Sequence, residues 1–247
     1  MIDLHHLGFS YGSRRVLNDL DVQVADRCIT AVMGPNGCGK TTLLRCVGGL
    51  LMPTQGHVTI DGRRVDDYSA RSLARQVAYV RQRMQTDFEF SAFEIVLMGR
   101  NPYQQRLQNE SQADWDIVEQ CMRQTSTWHL RFAKPSQMSG GELQRVMIAR
   151  ALAQQTPVLL LDEPVSSLDI AHQLDIMRLL RTASEKTILI VIHDLNLALQ
   201  FCDRLLLLHD GDVLFHGPVA EGLTPDNIRT VYGVDSHLTD GRIVFEY

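Results

Sequence analysis

Eight residues limit what this chain can fold into more than any others. Gly34-Pro35-Asn36-Gly37-Cys38-Gly39-Lys40-Thr41 fit the pattern G-x-x-x-x-G-K-[ST]. They follow an apolar run at 29–33 and precede a segment of helical character at 40–48. A strand that turns through glycines into a helix N-terminus is the setting this pattern requires. The glycines let backbone N–H groups converge on phosphate oxygens, and the helix N-terminus adds partial positive charge. Lys40 is placed to neutralise the outer phosphates of a nucleotide such as ATP. The Thr41 hydroxyl is placed to ligate Mg²⁺, and Thr42 follows in the same turn. A glycine-rich turn that matches by accident is the alternative, with odds of roughly one in a hundred at background residue usage.

A second segment supplies the acids that such a loop needs. The buried-strand pattern at 158–161 stops abruptly at Asp162-Glu163. Ligands sit beyond the carboxyl ends of strands in sheets of this kind, so both side chains are expected to face the phosphate loop. Asp162 can hold Mg²⁺, and Glu163 can accept a proton from an attacking water. Another apolar run, 187–192, ends at His193-Asp194, which puts an imidazole where a terminal phosphate lies. Taken alone, a histidine of this kind is more often structural.

Ser139-Gly140-Gly141-Glu142 opens a helix read over 142–154, with Leu143, Val146, Met147 and Ala151 on its apolar face. Ser139 is a good N-cap, and Glu142 completes a capping box. That accounts for the local sequence, yet the loop is also a second anion receptor that one nucleotide does not need. A two-fold dimer in which each Ser139 loop closes over the partner's ATP resolves the surplus.

The remaining sequence reads as one α/β unit with an insertion. Strand-like runs occur at 2–9, 22–24, 29–33, 57–60, 77–80, 158–161, 187–192, 205–208 and 213–215, two of them followed by Asp-Gly turns. Continuous apolar runs predict central parallel strands, and the earlier alternating ones predict a mixed sheet. Between residues 83 and 156 the period becomes helical, at 91–100 and at 112–125 with Trp115, Val118 and Met122. The expected division is a nucleotide-binding core, 1–82 and 157–247, around a helical insertion, 83–156. The last thirty residues read as short helix and strand without chemistry.

The longest apolar runs, 158–161 and 188–192, are far shorter than the ~20 residues that span a bilayer. The start, Met1-Ile2-Asp3-Leu4-His5-His6, has no basic flank or long apolar stretch, so no signal peptide is expected. Five scattered cysteines (28, 38, 46, 121 and 202) form no CxxC pair, which argues against disulfides or structural zinc. A net charge of −5 with no block of like charge argues against nucleic-acid binding.

In order, the phosphate loop, Gln82, Ser139-Gly140-Gly141, Leu161-Asp162-Glu163-Pro164, Ser167-Leu168-Asp169 and His193 resemble the motifs of the ATP-binding-cassette ATPases over residues 1–216. That resemblance implies a P-loop NTPase fold: a RecA-like mixed sheet with an antiparallel β subdomain and an inserted helical subdomain. It implies a head-to-tail homodimer with two ATP molecules between the subunits. Tyr11 would stack on adenine, Gln82 would sense the γ-phosphate and Mg²⁺, Asp169 would communicate across the interface, and His193 would be the switch histidine. Two departures stand out: Met138-Ser139-Gly140-Gly141-Glu142 replaces the common LSGGQ, and Cys38 occupies a position where serine is common.

Residues 95–103 and 142–152 further resemble ATPase subunits of importers for iron–siderophore, haem and cobalamin chelates. The implied partners are an integral-membrane permease dimer, its coupling helix received around 84–100, and indirectly an extracytoplasmic substrate-binding protein. The implied location is peripheral, at the cytoplasmic face of the inner membrane. A soluble cassette ATPase, a cassette for export and a nucleotide-gated scaffold without turnover are the competing readings.

Overall fold

The computed structural model describes residues 1–81, 89–104, 110–166, 168–183 and 185–246. The chain opens with β1 (Ile2–Tyr11) and β2 (Arg14–Val24), an antiparallel pair, and then enters β3 (Ile29–Met33) and α1 (Lys40–Val47). β4 (Gln55–Ile60) and β5 (Arg63–Arg64) return to the free edge of β1, giving an antiparallel sheet in the order β2-β1-β4-β5. A short α2 (Ala70–Leu73) leads to β6 (Val77–Val80).

Helices α3 (Ala92–Leu97), α4 (Gln112–Gln124) and α5 (Gly140–Ala153) separate β6 from β7 (Val158–Asp162). Each begins at a serine whose hydroxyl accepts from the N3 backbone N–H while the N3 acid reaches back: Ser91/Glu94, Ser111/Asp114 and Ser139/Glu142. These reciprocal caps satisfy donors that the first turn otherwise leaves without partners. α6 (Ile170–Thr182), β8 (Thr187–Val191), α7 (Leu195–Phe201), β9 (Arg204–His209) and β10 (Asp212–Pro218) follow. The chain closes with α8 (Val219–Gly222), α9 (Pro225–Tyr232) and the hairpin β11 (Ser236–Thr239) and β12 (Arg242–Phe245).

The second sheet runs β10-β9-β3-β8-β7-β6, parallel throughout except for β10. Its central strands β3, β7 and β8 are buried along their whole length because both faces are covered. Val158 and Leu160 join the core toward α1 and the antiparallel sheet, whereas Leu159 and Leu161 join the core formed with α5, α6 and α7. Parity then sets the site. Asp162 lies two residues beyond Leu160, so its side chain leaves β7 on the α1 side. No helix among the described residues is long and apolar enough to cross a membrane.

The expected elements are present, with revised limits. β2 extends back to Arg14, and the signature helix begins at Gly140, directly after its Ser139 cap, rather than at 142. Trp115, read as part of an apolar face of α4, is half exposed and meets Phe93 edge-on at 5.8 Å.

Candidate active site

The phosphate loop leaves the C-terminal end of β3 and closes at Gly39, the N-cap of α1. Two of its glycines are dictated by close approach as well as by φ. At Gly34 (φ 143°) a Cβ would lie 2.2 Å from the Leu208 carbonyl oxygen. At Gly39 (φ 109°) it would lie 2.6 Å from Leu17 Cδ2. A side chain at Gly34 would push the loop off the β9 backbone, and one at Gly39 would be strained by the positive φ and crowd Leu17.

Lys40 is buried, and its Nζ donates to the carbonyls of Gly34 at 2.8 Å and Pro35 at 2.7 Å. Burial lowers its pKa below the ordinary lysine value. Cys38 is buried behind the loop, Sγ 4.0 Å from Lys40 Nζ, and burial pushes its thiol up. Tyr11, Asn36, Gly37, Gly39, Lys40, Thr41, Thr42 and Glu163 line one cleft of about 400 Å³. Arg14 and Val16 also line it, and sequence reading passed over both.

Thr41 and Asp162 are 121 residues apart in sequence, yet Thr41 Oγ1 donates to Asp162 Oδ1 at 2.9 Å. Tyr79 Oη donates to the other carboxylate oxygen, Oδ2, also at 2.9 Å. The register explains this, since Tyr79 sits beside Leu160 across β6 and β7 and so shares its face. Arg45 of α1 in turn hydrogen-bonds the Tyr79 hydroxyl, whose pKa burial raises well above the tyrosine range. Tyr79 therefore stays a donor. Its role was invisible in the sequence because it depends on which strand lies next to β7. A hydroxyl and a carboxylate at hydrogen-bond distance are hard oxygen donors suited to Mg²⁺.

Glu163 ends the strand in the left-handed region (φ 51°), a conformation costing a non-glycine residue on the order of 1–2 kcal/mol. Strain of this kind persists where the surroundings over-determine it. β8 lies beside β7 with Asp162 opposite Val191, so the residues just past both strands emerge together. His193 Nε2 lies 2.9 Å from Glu163 Oε1.

Ser139, Gly140, Gly141 and Asp169 are not among the residues lining this cleft. Ser139 N–H and Oγ both donate to Glu142 Oε2 at 2.8 Å, and the Ser139 backbone N–H in particular holds the Glu142 carboxyl below the usual glutamate range. The acid is thus absorbed by the cap. Gly140 is exposed with open space where a Cβ would be, while Gly141 packs against His172. Asp169 caps α6, accepting from the His172 backbone N–H at 3.0 Å and pairing with its ring at 2.8 Å. Gln82 lies outside the described residues.

Both the sequence and the fold have relatives among known proteins. The family model described as ABC transporter matches residues 17–166. The cobalamin import ATP-binding protein BtuD of Halobacterium salinarum is 39% identical over 234 residues, covering 94% of this chain and 58% of that protein. The chain thus spans little more than half of that relative's length. The ferric enterobactin transport ATP-binding protein FepC of Escherichia coli is 36% identical, covering 95% of this chain and 88% of that one. The hemin import ATP-binding protein HmuV of Pseudomonas putida is 38% identical, with 95% and 93% covered. Among solved structures, one described as a metal-chelate type ABC transporter in an inward-facing conformation superposes with a TM-score of 0.86 at 27% identity, covering 100% of this chain and 97% of that one. A dimeric post-hydrolysis state of the cassette MJ0796 bound to ADP and Pi gives 0.78 at 29% identity, covering 89% and 99%.

Proposed function

This chain belongs to the ABC transporter family, and from that premise we propose that it is the ATP-hydrolysing subunit of an importer. It energises uptake of a metal chelate of the siderophore, haem or cobalamin kind through a membrane permease. The hydrolytic part rests on the convergence of Thr41, Asp162, Glu163 and His193 around one glycine-rich loop. The importer part rests on similarity to two import ATP-binding proteins, for cobalamin and hemin, and to a ferric enterobactin transport ATP-binding protein, each over at least 94% of this chain.

In this reading the loop 34–41 holds the triphosphate and Tyr11 stacks on the adenine. Lys40 turns its ammonium from the Gly34 and Pro35 carbonyls toward the outer phosphates. Thr41 and Asp162, with Gln82, would hold Mg²⁺, which supplies neutralisation of phosphate charge. Glu163 takes a proton from the attacking water as its oxygen bonds the γ-phosphorus and the bridging P–O bond to ADP breaks. His193, beside Glu163, steadies charge on the leaving phosphate.

A second copy of the chain, head to tail, brings its Ser139–Gly140–Gly141 turn over the same nucleotide, and Asp169 reports across the interface. The helices between β6 and β7 form the signature subdomain (83–156) and meet the permease. The permease dimer, supplied by an extracytoplasmic binding protein, places the chain at the cytoplasmic face of the inner membrane.

The test is co-purification together with phosphate release. The chain is expected to isolate with a polytopic membrane protein and to release phosphate from ATP only with Mg²⁺. Recovery with RNA or DNA instead would contradict the importer assignment.

A further inference from the structure

Among the described residues, those beyond α9 do not line the nucleotide cleft, yet they are fastened to the segment that carries His193. Asn196, in the first turn of α7, meets β12 as a backbone unit would. Its Nδ2 donates to the Ile243 carbonyl at 3.1 Å, and the Ile243 N–H donates to its Oδ1 at 2.8 Å. One side chain thereby satisfies both polar backbone groups of a strand residue whose own side chain is buried in the core. Asn196 is itself held from the other side. Its N–H, and that of Leu197, donate to Asp194 Oδ1 at 2.8 and 2.9 Å. Asp194 directly follows His193, whose ring reaches Glu163.

His193 is exposed at the end of a strand and enters a helix of only seven residues. A helix this short has little stability of its own, so its first turn keeps its place through outside contacts. The Asn196–Ile243 pair is such a contact, and it crosses 47 residues of sequence. A two-stranded hairpin is likewise marginal alone and gains from being docked.

We propose that Asn196 is a positioning residue for His193, and that the hairpin β11–β12 is a working part of the ATPase site. By tying the start of α7 to β12, Asn196 fixes the direction in which the imidazole meets Glu163. The inference rests on the reading of His193 given above. Misplacing such a group by about 1 Å can cost on the order of 10²-fold in rate, so a partial loss of this tie is large enough to measure.

The test is a double-mutant cycle on the full chain with Asn196→Ala and His193→Ala, reading phosphate release at saturating MgATP, KM for ATP, and Tm. Asn196→Ala is expected to lower kcat about tenfold while KM moves less than about twofold. In the His193→Ala background it is expected to leave the residual rate unchanged, while Tm falls equally in both backgrounds. Asn196→Asp keeps the acceptor for Ile243 N–H and loses the donor, so an intermediate loss is expected; it carries the cycle if the alanine variant folds poorly. A kcat within twofold of the native chain for Asn196→Ala, with His193→Ala strongly impaired, would overturn the proposal. So would an equal loss in both backgrounds. Full turnover of His193→Ala would instead overturn the reading of His193 on which it rests.

Discussion

Glu163 Oε1 and His193 Nε2 stand 2.9 Å apart at the ends of two neighbouring parallel strands, β7 and β8. The contact needs three things at once: β8 beside β7, both strands ending at the same level, and Glu163 in a left-handed conformation. A carboxylate and an imidazole held together beside the glycine-rich loop are the arrangement that the proposed hydrolysis uses at the terminal phosphate.

Tyr79→Phe removes the hydroxyl that donates to Asp162 Oδ2 and leaves the ring in place. Outer-shell partners of metal-ligating carboxylates typically matter about 10–100-fold in metal affinity. The Mg²⁺ concentration that half-saturates ATP binding is expected to rise about tenfold. Binding of ATP followed with a fluorescent analogue across an Mg²⁺ titration checks this, and an unchanged midpoint would remove Tyr79 from that role.

Glu142→Gln converts the signature to its commoner form. A glutamine can keep the capping box, so turnover is expected to stay within about twofold. The charge–dipole contribution at the helix start, up to about 1 kcal/mol, is lost. The folded carboxyl titrates below the ordinary 4.5, so this contribution is present above that pH and disappears as pH falls through the lower folded value. Melting curves of both forms at neutral and acid pH test it. A stability difference that persists at acid pH would contradict the account.

Cys38 offers a chemical probe of the loop. Burial raises its pKa, so the thiolate is scarcer than for a free cysteine and alkylation is expected to speed up about tenfold per pH unit toward that raised value. In a Cys28→Ser background, which removes the half-buried thiol, maleimide is expected to abolish phosphate release, and MgATP to slow the reaction. Mass spectrometry locates the adduct. Loss of activity at the same rate with and without nucleotide would contradict the placement.

Lys40→Ala and Ser139→Ala test whether the site is shared between copies. Each chain alone is expected to be nearly inactive. Mixed in equal amounts, they form pairs in which one site has both native residues, so part of the turnover returns. No recovery on mixing, with exchange of subunits demonstrated, would mean that the Ser139 turn does not act on the partner's nucleotide.

Much of this was legible in the chain because phosphate chemistry leaves few choices of residue. Gly34 is forced by backbone approach and Gly39 by its positive φ, and the apolar strands β3, β7 and β8 by burial on both faces. What stayed hidden depends on neighbours. The first half of β2 escaped because Arg14, Arg15, Asn18 and Asp19 break its apolar pattern and bulges shift its register against β1. Tyr79 and Asn196 act through groups 83 and 47 residues away, which no local pattern announces. The hairpin at the end of the chain carried a readable Asp240-Gly241 turn, but its use comes only from what it docks against.

The most direct test of the central claim is Glu163→Gln, assayed for ATP binding and for phosphate release side by side. Loss of a general base typically costs about 10²–10⁴-fold, so turnover is expected to fall by at least a hundredfold while MgATP remains bound at native affinity. Near-native turnover of that variant would contradict the account.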